Sequence, residues 1–154
     1  MPPVLGRRPA SFEGGILKGR FTVRAKDKRF RRLLRDAVLR PPKEFQGISS
    51  VKAVALSNHP TKSVVGLTRY SEVRLLMVLS KPRQTITFYS DLMNALSDRA
   101  AEAVIAHELA HAWLNEHKRP EESREREAEA DALARKWGFG EELAALDREA
   151  ETLS

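Results

Sequence analysis

One short segment constrains the fold of this chain more than any other feature, because it holds two histidines four residues apart, a spacing that brings side chains together only on a helix. Residues 107–111 read His-Glu-Leu-Ala-His. Positions i and i+4 share a helix face, so His107 and His111 can point both imidazoles at one ion. Apolar residues recur at helical spacing around the segment, and Ser97 is a suitable N-cap. The sequence therefore predicts a long helix that begins near Ser97.

The paired histidines are typical of a zinc site. Zinc accepts imidazole nitrogens at ~2.0–2.1 Å, and Glu108 lies beside the pair, where it can take a proton from an attacking water. The alternative is a helix with two incidental surface histidines. A third ligand elsewhere in the chain argues against that alternative, and two candidates are available.

The first candidate, His117, lies ten residues after His107, which is the metzincin spacing. That motif needs a glycine three residues after the second histidine, but Leu114 stands there, and no methionine follows residue 93. On an unbroken helix His117 faces away from the pair. We interpret it as a helix-end histidine that interacts with the helix dipole.

The second candidate is Glu127, on a helix that we predict to end near Trp137. Glu127 and Asp131 are four residues apart and share a face, and the alanines between them favour close helix packing. Glu127 can complete a His-His-Glu set, while Asp131 can accept the other N–H of a ligand histidine. Glu125 and Glu129 point about 200° away from Glu127 and are weaker candidates. The alternative is an ordinary charged helix whose solvated face holds Arg124, Glu125, Arg126 and Glu129.

The rest of the chain predicts an α+β fold with a small mixed β-sheet. Residues 27–40 have the spacing of an amphipathic helix, which Pro41-Pro42 ends. Residues 20–24, 51–56, 73–79 and 85–89 resemble strands, and 61–71 is ambiguous. Gly138 is a plausible glycine after a helix end. We expect a single domain over residues 1–154, with an irregular arm at 1–19 and a helical tail at 141–154.

The amino-acid composition excludes several classes of function for this chain. The 154 residues include no cysteine, which excludes disulfides, thiolate metal sites and cysteine nucleophiles. No apolar run approaches the ~18 residues of a membrane span, so we expect a cytoplasmic protein without a membrane partner. Residues 1–45 hold 13 Lys and Arg against 4 Asp and Glu, and residues 101–154 hold 7 against 14. The basic front half either attracts acidic partners or contacts the acidic back half, and nucleic-acid binding is not expected.

His-Glu-x-x-His followed by Glu-x-x-x-Asp resembles the gluzincin metallopeptidases. The short chain looks most like the minigluzincins, and its Glu-x-Glu-Ala-Asp motif is also similar to that of the CAAX-type and heat-shock-type peptidases. The resemblance implies a zincin-like fold with an active-site helix and a glutamate helix. It implies one Zn²⁺ held by His107, His111 and Glu127, Glu108 as general base, and Asp131 supporting a ligand. It also implies that the strand before the active-site helix binds an extended substrate, here Thr85, Ile86, Thr87, Phe88 and Tyr89.

These observations predict a zinc-dependent peptidase that acts on peptides or unfolded proteins. The alternative is a weak or inactive zinc-stabilised adaptor that binds an acidic protein or nucleic acid through its basic front half. One interpretation of the two ends of the chain is latency, because the 1–19 arm or the acidic 141–154 tail can fill a shallow cleft. The competing interpretation of the tail is a helix that packs on the core through Leu143 and Leu146. The oligomeric state cannot be predicted from the sequence.

Overall fold

The structure, a computed structural model, describes residues 9–10, 15–17, 21–45, 47–58, 84–117 and 123–152. The chain there forms β1 (Pro9–Ala10), β2 (Phe21–Arg24), α1 (Lys28–Leu39), β3 (Val51–Ser57), β4 (Gln84–Tyr89), α2 (Ser90–Ala95), α3 (Asp98–His117), α4 (Ser123–Lys136) and α5 (Gly140–Thr152). This order confirms the predicted α+β class. The predicted strand at 73–79 and the ambiguous segment 61–71 lie outside the described residues.

The described strands form one mixed sheet in the order β1-β2-β3-β4. β1 pairs antiparallel with β2, whereas the pairs β2–β3 and β3–β4 are parallel. The register places Val23 beside Val54 and Val54 beside Ile86. All three side chains are buried, and because side chains alternate along a strand they lie on one face of the sheet. Two stretches of the expected N-terminal arm make backbone pairings, β1 with β2 and Leu17 with Ile48.

Helix α1 packs against α3 and contacts β4. The Asp27 carboxylate accepts a hydrogen bond from the Phe30 N–H at 2.9 Å, which satisfies one of the free donors at the helix start. The apolar residues that recur at helical spacing are the buried ones: Phe30, Leu33, Leu34, Ala37 and Val38. The Phe30 ring lies 5.4 Å from that of Phe88 on β4, so α1 packs directly against the strand that precedes the helical half of the chain.

Arginines of α1 contact the beginning of the helical half. Arg29 donates to the Asp98 carboxylate at 2.6 Å and to the carbonyls of Met93 and Leu96 at 2.9 and 2.7 Å. Arg32 reaches Asp98 at 3.0 Å. Hydrogen bonds from both arginines lower the pKa of Asp98. The short helix α2 was not predicted, and Arg29 stabilises it by binding carbonyls at its end.

Helix α5, which spans most of the predicted C-terminal tail, packs on α3. Leu143 and Leu146 are buried, as the packing interpretation of the tail predicts. The Glu149 carboxylate accepts hydrogen bonds from the backbone N–H and the hydroxyl of Ser97, at 2.8 and 2.5 Å. Gly138 precedes α5 with φ of 100°, the left-handed conformation expected of a glycine after a helix end.

Arg40, just after α1, joins three elements. Its guanidinium contacts Glu102 on α3 at 2.7 Å and Glu142 on α5 at 3.0 Å, and it lies over the Phe139 ring. The basic front half therefore meets acidic residues of the same chain, one of the two outcomes considered for it. No helix in the described ranges has both the length and the apolar character needed to cross a membrane.

Candidate metal centre

Helix α3 carries the His-Glu-x-x-His segment through the protein interior. His107 and Glu108 are 0% exposed and His111 is 4% exposed. Small side chains let neighbouring elements approach α3 closely from several sides; the buried alanines of this helix are Ala100, Ala101, Ala103, Ala106, Ala110 and Ala112. The predicted N-cap is confirmed, because the Ser97 hydroxyl accepts a hydrogen bond from the Ala100 N–H at 3.2 Å. The histidines are therefore buried groups on a fixed helix, not incidental surface residues.

Helix α4 runs back along α3 and brings two carboxylates to the histidines. His107 Nδ1 lies 2.6 Å from Asp131 Oδ1, and His107 Nε2 lies 3.1 Å from Glu127 Oε1. His111 Nε2 lies 2.9 Å from Glu127 Oε2. The two imidazole rings are 4.6 Å apart and nearly perpendicular. Both oxygens of one carboxylate thus face the Nε2 atoms of two histidines.

The donor atoms of His107, His111 and Glu127 fit a metal ion. One ligand atom from each residue lies within 4.8 Å of the other two. When His107 carries its proton on Nδ1 and donates it to Asp131, its Nε2 has a lone pair that points at a carboxylate oxygen. Two lone pairs in contact repel each other unless a proton or a cation lies between them. Two imidazoles and one carboxylate are the ligands of a common class of catalytic zinc site.

The electrostatics of the site favour an ionised Glu127. Burial alone would raise the pKa of this carboxyl, since removal from water disfavours the charged form. Hydrogen bonds and charge interactions with His107 and His111 outweigh burial and hold the pKa well below its usual range. An ionised carboxylate is the form that binds a metal.

The remaining candidates on the two helices lie elsewhere. Glu108 is fully buried next to His107 but is not one of the three grouped ligands. His117 stands at the end of α3, as predicted, where its Nε2 lies 3.2 Å from the Gly47 carbonyl oxygen. Glu129 is half-buried and does not belong to the group. The side chain of Glu125 is outside the described residues.

The predicted substrate strand coincides with most of β4. Ile86 and Phe88 are fully buried and belong to the hydrophobic core. Thr85, Thr87 and Tyr89 alternate with them and are half-buried. Because of this alternation, only the second set and the main chain of the strand remain as candidate contacts for a peptide.

Sequence reasoning missed one residue of this region. Arg126 was assigned to the solvated face of α4 in the alternative interpretation, but it is only 8% exposed, and its Nη2 donates a hydrogen bond to Asn115 Oδ1 on α3. A signal for its burial was present in the sequence. Arg126 lies four residues before Ala130 and eight before Ala134, so it falls on the same buried stripe of the helix.

Comparison with known proteins identifies a family similarity over part of the chain. The sequence model of peptidase family M48 matches residues 52–121. The matched segment includes all of β3 except Val51, the whole of β4 and the His-Glu-x-x-His segment of α3, and it ends before Glu127. This match supports a zinc metallopeptidase family. No curated protein and no solved structure matches the chain.

Proposed function

We propose that this chain is a zinc-dependent peptidase, with one zinc ion held by His107, His111 and Glu127. The observation that carries the proposal is the convergence of two imidazole Nε2 atoms on the two oxygens of one carboxylate, at 3.1 and 2.9 Å. The match to peptidase family M48 supports the same class of enzyme, a metal-dependent hydrolase.

The zinc ion, when bound, supplies the polarisation of the scissile carbonyl and increases the acidity of the attacking water. The protein prepares the site for the ion. Asp131 accepts the Nδ1 proton of His107, which orients the ring and leaves the Nε2 lone pair for the metal. The lowered pKa of Glu127 keeps the third ligand charged at neutral pH.

In this proposal Glu108 moves the proton. Its carboxylate accepts a proton from the attacking water and passes it to the nitrogen of the leaving amine. Glu108 directly follows a proposed ligand in the chain, and its side chain is fully excluded from solvent. Exclusion from solvent favours the transfer, because a proton held there does not exchange with bulk water between the two steps.

The proposed substrate is a peptide or an unfolded protein in an extended conformation. An extended peptide binds a strand through main-chain hydrogen bonds that do not depend on its side chains. β4 is the last strand in the order of the described sheet, and it leads through α2 into α3. Thr85 and Thr87 offer side-chain contacts in addition, since they are half-buried and alternate with the core residues of the strand. Tyr89 is half-buried too, but it packs against the hydrophobic core.

The alternative function, an adaptor that binds acidic partners through the basic front half, has less support than the peptidase. It needs a free basic surface in the front half of the chain. Arg29, Arg32 and Arg40 instead bind acidic residues on α3 and α5. These three arginines therefore hold the front half of the chain to its helical half.

The test combines metal content with hydrolysis. The purified chain should contain about one zinc per molecule and should cleave casein, and a chelator should abolish the cleavage. Glu108→Gln should retain zinc but lose hydrolysis, because an amide cannot accept the proton. Glu129→Gln is the matched control and should retain both properties. Full zinc retention after replacement of both His107 and His111 by alanine would refute the proposed site.

A further inference from the structure

Arg126 is a buried arginine, and the proposed peptidase mechanism gives no reason for its burial. Its side chain is 8% exposed, and its only hydrogen bond among the described residues goes to Asn115. A buried guanidinium is costly, and here the acceptor is a neutral amide and not a carboxylate. A residue of this kind needs a reason to be buried.

The contacts between α3 and α4 form a ladder. Asn115 meets Arg126, His111 meets Glu127, and His107 meets both Glu127 and Asp131. The residue numbers fall along α3 while they rise along α4, so the two helices are antiparallel. The Asn115–Arg126 contact lies at one end of the ladder and the His107–Asp131 contact at the other. The proposed ligand Glu127 is between them.

The packing between these contacts does little to set the position of α4 along its axis. The buried residues of α4 beyond Arg126 are Ala130 and Ala134, both 0% exposed, and Leu133, which is 8% exposed. The two alanines allow close approach but present shallow ridges, so they oppose a slide of one residue, about 1.5 Å, less than large side chains would. A metal site tolerates ligand displacements of only about 0.2 Å. Directional polar contacts must therefore supply the alignment.

We propose that Arg126 and Asn115 are positioning residues that set the register of α4 on α3 and thereby hold Glu127 at the metal. The inference rests on the proposed function, since it assigns these residues a purpose at the proposed zinc site. Arg126 is not one of the three grouped ligand residues. It acts through the hydrogen bond to Asn115, which holds the residue before Glu127 against the ligand helix.

The test is a double-substitution cycle with zinc affinity as the readout. Arg126→Met and Asn115→Leu keep the apolar volume but remove the hydrogen bond. Each should weaken zinc binding by ~10–100-fold, the usual effect of losing a group that orients a ligand. The double variant should bind zinc no less tightly than the single variant with the lower zinc affinity, because the two substitutions remove the same contact. Asn115→Asp keeps an acceptor and should bind zinc within about threefold of the original chain. Arg135→Met, an exposed arginine on the same helix, is the matched control.

A second readout separates positioning from a general loss of structure. Cobalt replaces zinc, and its visible absorption reports coordination geometry, so the two single variants should show a changed spectrum while Asn115→Asp retains the original one. The inference is overturned if Arg126→Met lowers the melting temperature of the metal-free chain but leaves zinc affinity and the cobalt spectrum unchanged. It is also overturned if the losses in affinity from the two single variants add in the double variant. An original chain that binds no zinc would refute the proposed function itself, whereas tight binding by every variant would refute only the role of Arg126.

Discussion

Removal of helix α5 distinguishes two roles for the C-terminal segment, because the roles predict opposite results. A chain that ends at Phe139 lacks Leu143 and Leu146, which are 4% and 1% exposed in the intact protein. Burial of one leucine side chain is worth about 1.5–3 kcal/mol. The pair therefore contributes ~3–6 kcal/mol to a stability that is ~5–15 kcal/mol for a typical domain. The truncated chain should therefore lose at least this much stability, unfold at a lower urea concentration and cleave casein no faster than the intact chain.

Point variants measure the same contribution without removing the helix. Leu146→Ala should lower the free energy of unfolding by about 2–5 kcal/mol in a urea titration followed by circular dichroism. Asp147→Asn changes the next residue, which is exposed, and should shift the free energy of unfolding by less than about 0.5 kcal/mol. The comparison isolates the buried side chain from the acidic character of the segment.

Latency through the acidic tail predicts a different pattern. Replacement of the exposed acids Glu141, Asp147 and Glu151 by their amides leaves the buried face of α5 intact. If α5 serves only to pack on α3, this variant should cleave casein at the original rate. A truncated chain that keeps its helical circular dichroism and cleaves casein faster than the intact chain would show that the packing argument is wrong.

Three further predictions concern single residues. Asp131→Asn should weaken zinc affinity by ~10–100-fold in a chelator competition, whereas Glu129→Gln should leave it nearly unchanged. Burial alone would raise the pKa of Glu116, but hydrogen bonds from Ser50 and Ser49 outweigh burial and hold the pKa below its ordinary value of 4.5. The ionised Glu116 carboxylate therefore stabilises the folded chain above pH 4.5, and this stabilisation is lost as the pH falls through the lowered pKa. Glu116→Gln should therefore cost about 1 kcal/mol in urea titrations at pH 7 and progressively less below pH 4.5. Gly138→Ala should lower stability by about 1–2 kcal/mol because φ is 100°, while Gly140→Ala, whose added methyl meets nothing within 4 Å, should not.

The elements that carry the proposed site could be predicted from the sequence because their signals are local. Helical spacing identified α1 and α3, and a hydroxyl before an apolar stripe identified the start of α3 at Ser97. The four-residue spacing of Glu127 and Asp131 placed both carboxylates on one face of α4, and the structure places both beside His107.

Contacts between distant parts of the chain could not be predicted in this way. The Ser97–Glu149 hydrogen bonds join residues 52 positions apart, and the bonds from Arg29 that hold the end of α2 span 64 and 67 positions. No local pattern marks such partners, because a glutamate or arginine that will bind within the chain looks the same in sequence as one that will face water. The burial of Arg126 is a different case, because the spacing of Ala130 and Ala134 after it did contain the information.

The third ligand is the part of the proposed site that depends most on three-dimensional structure. The match to family M48 ends at residue 121 and therefore includes His107 and His111 but not Glu127. A carboxylate that faced the histidines only as a hydrogen-bond acceptor would need a proton on both Nε2 atoms. His107 already has its Nδ1 in contact with Asp131, so a second proton would make this fully buried ring a cation. In the metal-free site the neighbouring carboxylates offset that charge, and the interaction of Glu127 with the two histidines lowers the pKa of Glu127. A divalent ion would replace the protons on the two Nε2 atoms and leave both imidazoles neutral, so binding of the proposed zinc ion should release protons.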